Sequence, residues 1–123
     1  MDALPTVGKF LFAIPMAVFG ILHFMAAGDM AGMVPSFVPG GVIWVYITGI
    51  ALIAAAVAII ANKQAVLATQ LLGVMLLIFA LSIHLVALIG GDQAAMASLL
   101  KDTALAGGAF VLSGVLDAGG SEA

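Results

Sequence analysis

Four apolar runs, at about residues 10–27, 42–61, 65–89 and 99–116, fill most of this 123-residue chain, and charge enters only the last of them, as Lys101 and Asp102. A bilayer core about 30 Å thick takes about 20 apolar residues to cross as a helix, so each run is close to one span. Within hydrocarbon every backbone N–H and C=O needs a partner inside its own segment, which restricts the runs to helices. The pattern therefore predicts an all-α membrane protein, a four-transmembrane-helix bundle that forms one domain over residues 1–123 and leaves no length for a soluble catalytic unit. Membrane lipids are its first expected partners.

Composition narrows the function classes. The chain is 65% hydrophobic and 7% charged, with a mean hydropathy of +1.35, against roughly 45–50% apolar residues in soluble domains. It has no cysteine, which excludes thiol relays and thiolate-held metal clusters. Three basic residues, Lys9, Lys63 and Lys101, and a net charge of −3 leave no basic patch for nucleic acid.

The start of the chain superficially resembles a signal peptide, but its single Lys9 is offset by Asp2 and does not make a basic leader. We read the run as a retained helix with a kink at Pro15. Residues 28–41, "GDMAGMVPSFVPGG", break the apolar pattern with four glycines and two prolines, yet Met30, Met33, Val34, Phe37 and Val38 fall on one helical face. Such a stretch is too short to span, and is expected as an interfacial or re-entrant segment between helices 1 and 2. Trp44 and Tyr46 suit the headgroup level, and "NKQ" at 62–64 is a tight turn. A connection of about ten residues, opened by "GGDQ", precedes helix 4. Four spans put both termini on one side with Lys9 and Lys63, and the positive-inside rule makes that side cytoplasmic.

The polar residues inside the runs are few, and they gather at the other side. His23 lies near the outer end of helix 1, His84 near the outer end of helix 3, and Lys101 with Asp102 at the start of helix 4. A rise of 1.5 Å per residue puts both imidazoles roughly 5–10 Å inside the hydrocarbon. The stripe through His84 reads Thr69, Gly73, Ala80, Ala87, Gly91, and the one through His23 reads Ala13, Met16, Gly20, Ala27. Small residues mark helix contacts in lipid, so both histidines and the Lys–Asp pair are expected to face the interior. A histidine bonded across a helix contact is also ordinary structural glue, and Lys101 with Asp102 can be an interfacial helix start.

The functional alternative is a ligand site. Intramembrane ionisable groups are functional candidates by default, but no His-x-x-x-His or Glu-x-x-His spacing occurs, which argues against metal. A quinone head group suits the set better. His23 and His84 would hydrogen-bond its oxygens, Lys101 would stabilise developing negative charge, Asp102 would hold Lys101 or relay protons, and Phe37 and Trp44 would flank the ring. Imidazole, which titrates at about 6.5, exchanges protons readily.

Residues 8 to 115 resemble the DoxX-like family of small integral membrane proteins, through "GILHF" (20–24), "MVPSFVP" (33–39), "WVYITGIAL" (44–52) and "LLKDTALAGGAF" (99–110). The resemblance implies a four-helix bundle in the bacterial inner membrane, associated with a partner oxidoreductase. The chain departs from the family where many relatives carry a Glu after the "TG" of helix 2, since Thr48 and Gly49 are followed here by Ile50 and Ala51. The chain has no intrinsic cofactor motif, so the leading expectation is a quinone-binding membrane subunit rather than a complete enzyme. The competing expectation is a non-catalytic assembly or anchoring factor that packs through helix 4. "AGGAF" and Gly114 also offer surface for a homodimer.

Overall fold

The computed structural model describes residues 3–33 and 39–118. Its frame is four long helices, α1 (Ala3–Met25), α2 (Val42–Ala61), α3 (Ala65–Ile89) and α4 (Ala95–Ala118), each long and apolar enough to cross a membrane. No strand occurs among the described residues. Between α1 and α2 the chain makes one short helical turn, Ala27–Met30, and a tighter one, Ala31–Met33.

Local chemistry sets the helix ends. Helix α1 begins at Ala3, ahead of the expected Phe10, because Pro5 falls in the first turn, where its missing N–H costs nothing. Pro15 lies inside the helix and leaves the Leu11 carbonyl without its usual donor. Asn62 closes α2 at φ 60°, a left-handed conformation that Asn tolerates. Gly91, at φ 103°, closes α3 with the Asp92 N–H donating to the Ala87 carbonyl at 3.0 Å, the Schellman pattern. The Asp92 carboxylate then accepts from the Ala94 N–H at 3.1 Å. This local turn shortens the connection expected before helix 4, so that α4 starts at Ala95 rather than Leu99.

Two hairpins make the bundle. In the first, α1 meets α2 at Gly20 and Gly49, where a Cβ on Gly20 would stand 2.8 Å from the Gly49 carbonyl oxygen and one on Gly49 would stand 3.0 Å from that of Gly20. In the second, the Phe110 ring of α4 lies on Gly73 of α3. Ala13 and Met16 of α1, Leu52 and Ile59 of α2, Leu72 of α3 and Ala106 of α4 join the hairpins in one core. The outward faces stay apolar, with Leu11 69%, Val111 70% and Ile89 79% exposed. Such a surface needs lipid rather than water around it. The chain is a multi-pass membrane protein.

Candidate functional site

Four hydroxyls among the described side chains bond back to a carbonyl of their own helix: Thr69 to Ala65 and Val66, Ser82 to Ile78, Thr103 to Leu99, Ser113 to Phe110. Serine and threonine do this routinely where no water is at hand. Against that background one bond stands apart. His84 Nε2 and Asp102 Oδ2 are 2.9 Å apart, the one hydrogen bond among the described residues that joins side chains of two long helices.

Asp102 sits deeper than the sequence suggests, while His84 keeps its expected depth in α3. With α4 starting at Ala95, Asp102 is about two turns, roughly 10 Å, inside the helix, so the pair Lys101–Asp102 does not head it. Asp102 is 5% exposed and shares the inner stripe of α4 with Ala106, Ala109, Ser113 and Leu116. His84 ends a wide turn, Ala80–His84, in which the Leu85 N–H reaches back to the Ala80 carbonyl, five residues away. This π-type turn changes the rotation per residue, so it re-aims the side chains that follow it, and such turns recur at functional sites.

The rest of the arc runs towards α1. Lys101 Nζ lies 3.5 Å from the second Asp102 oxygen and 5.1 Å from the centre of the Phe19 ring, within cation–π range. The expectation that Lys101 faces the interior needs correction: its side chain is 52% exposed, since position 101 falls beside the buried stripe and the long stem carries the ammonium to the edge. The Phe19 carbonyl in turn holds His23, whose Nδ1 is 2.6 Å away. His23, Lys101, Asp102 and His84 thus form an arc over α1, α4 and α3, with Phe19 as the link.

The partners fix the protons. A carbonyl only accepts, so Nδ1 of His23 carries a hydrogen and Nε2 of the neutral ring keeps its lone pair. By the same logic Nε2 of His84 donates to the carboxylate and leaves Nδ1 as the acceptor. No buried side-chain nitrogen or oxygen among the described residues lacks a partner, so these two remaining nitrogens are open to the surroundings. The neutral site offers acceptors at both rings and a donor at Lys101.

Of the two aromatic residues expected to flank a ligand ring, Trp44 alone is among the described residues. The Trp44 indole N–H donates to the Pro39 carbonyl, which ties it to the chain entering α2, and Phe37 lies outside the described residues. Nor does any group of three or more His, Asp or Glu among the described residues converge as a metal site requires. What sequence reasoning missed is the π-type turn, which no residue of "ALSIH" announces, since it contains neither Gly nor Pro.

Residues 12–106 match the family described as "Domain of unknown function (DUF8561)". The chain belongs to this family. The DUF8561 region takes in His23, His84, Lys101 and Asp102, so the whole arc lies within the part of the chain that defines the family. No curated protein and no solved structure matches the chain.

Proposed function

We propose that the chain is a membrane subunit that binds a quinone, held in its hydroxyl form, at the His23–Lys101–Asp102–His84 arc, and that it serves a partner oxidoreductase. The observation that carries this reading is the buried His84–Asp102 pair. Desolvating a carboxylate costs several kcal/mol, which one N–H from a neutral imidazole and a half-exposed ammonium repay only in part, and apolar side chains of the same volume would pack at least as well. The pair therefore has little worth as glue alone, and its chemistry gives it a purpose. Two ring nitrogens that accept hydrogen bonds suit the hydroxyls of a quinol, and an acceptor so placed is where the hydroxyl proton goes when the two electrons leave for the partner. Lys101 stabilises the oxygen that is left.

The DoxX-like resemblance supports the link to an oxidoreductase and a place in the bacterial inner membrane. Lys9 and Lys63 on the side of the termini, against Lys101 on the other, support cytoplasmic termini. The binding test compares duroquinol with duroquinone on the reconstituted protein. The quinol is expected to bind at least tenfold more tightly, and His84→Gln to remove the difference. Equal binding of the two forms, or a preference that survives in the variant, contradicts the reading.

An assembly or anchoring role is the second reading, and the outer face of α4 favours it. At Gly107 and Gly114 nothing lies within 4 Å of where a Cβ would stand, whereas the same position at Gly108 is 3.8 Å from the Phe12 ring. Gly107, rather than Gly108, is therefore the position to probe for a homodimer or a protein partner. Gly107→Leu is expected to lower self-association about tenfold by energy transfer between labelled copies in a bilayer. Unchanged transfer removes this face from the account. If His23→Ala and His84→Ala leave partner activity intact while Gly107→Leu abolishes the complex, the assembly reading replaces the quinol site.

A further inference from the structure

The two hairpins meet along two seams that differ. Between α1 and α4 the seam is occupied, by Phe12 against Gly108 and Lys101 over Phe19. Between α2 and α3 it opens into a groove of about 400 Å³. Alanines on the α2 wall, Ala51, Ala54 and Ala58 among them, are too short to fill the space beside Leu67, Leu71 and Met75 of α3.

The position and length of the groove select its occupant. It runs from Gln64, at the turn that joins α2 to α3, as far as Met75. Eleven residues at 1.5 Å each give about 16 Å, close to half of a hydrocarbon core about 30 Å thick. A groove that starts at the interface and stops near the midplane has the reach of one acyl chain, whereas a second transmembrane helix would need a surface across the whole membrane. Its one polar lining residue, Gln64, is at the interfacial end, next to Lys63. Asn62, Lys63 and Gln64 are all exposed, and no carboxylate among the described residues pairs with Lys63. The mouth is cationic and the groove is apolar.

We propose that the α2–α3 groove is a binding site for an anionic phospholipid of the leaflet on the side of the termini. One acyl chain lies against the alanine wall, and the phosphate-bearing headgroup sits at Lys63 and Gln64. This site is at the opposite end of the bundle from the polar arc and stands independently of the quinol reading.

Native mass spectrometry of the full chain, released from nanodiscs of phosphatidylglycerol and phosphatidylcholine in equal amounts with matched chains, tests it. The protein is expected to keep one lipid, with phosphatidylglycerol favoured about fivefold, the worth of one basic residue near an anionic surface. Lys63→Gln brings the two lipids to parity, and Ala58→Leu, which fills the groove, releases the retained lipid without loss of helicity. Equal retention of both lipids by the unaltered protein overturns the proposal. So does a preference that persists in Lys63→Gln, which alters only an exposed turn and keeps the test valid if Ala58→Leu does not fold. Dimers that form without retained lipid and vanish in Ala58→Leu would assign the groove to a second copy instead.

Discussion

His84→Ala is expected to destabilise the protein by about 3–5 kcal/mol, because it removes the imidazole N–H from the buried Asp102 carboxylate and leaves Lys101 as its one partner. The Lys101 ammonium, 3.5 Å from the other oxygen and 52% exposed, compensates only in part. Replacing both members removes the unpaired charge along with the pair. His84→Leu combined with Asp102→Leu should therefore recover most of the loss, because apolar side chains then fill the site with no buried charge. Unfolding in micelles, followed by loss of helicity, measures both. A single variant that costs less than about 1 kcal/mol would show that the carboxylate is relieved by water or by rearrangement, and that the pair is not the buried contact described here. The double variant also has a second use, as a folded protein without the proposed site.

Gly20→Ala is the second large effect. The added Cβ would stand 2.6 Å from Ile53 Cγ1 and 2.8 Å from the Gly49 carbonyl oxygen. A side chain can move aside, but the backbone oxygen cannot do so without separating α1 from α2. We expect a loss of about 1–3 kcal/mol, the usual range for overpacking, and no rescue by trimming Ile53 to Ala. Gly73→Ala makes the useful contrast. The three atoms nearest its Cβ would all belong to the Phe110 ring, the first at 2.6 Å, so Phe110→Leu should restore most of the stability lost. If Gly20→Ala is tolerated, the close approach at Gly20 and Gly49 is not what joins the first hairpin.

Much of the fold was legible because lipid imposes one rule on every span. Apolar length gave the number of helices, and the small-residue stripes gave their inner faces: Ala13, Met16 and Gly20 are buried on α1, and Thr69, Gly73 and Ala80 on α3. The same stripes aimed His84 inward. The ends of α1 and α4 were harder, since hydropathy marks where lipid begins rather than where a helix does. Ala95, Met96 and Ala97 are good helix formers that look like linker only beside an apolar run. That displacement matters, because it turns Asp102 from a residue at a helix start into a buried one. The π-type turn at Ala80–His84 and the α2–α3 groove depend on how helices pack against each other, for which local sequence carries no signal.

The central claim is that the polar arc holds a quinol, and its most direct test is to find one there. The protein is extracted from its own membrane in a mild detergent, and the lipid-soluble redox molecules that co-purify are identified by mass spectrometry, beside His84→Gln prepared in the same way. A quinone-class molecule is expected in stoichiometric amount with the unaltered protein, and its loss from the variant. Phospholipid and a protein partner alone, with no quinone in either preparation, would contradict it.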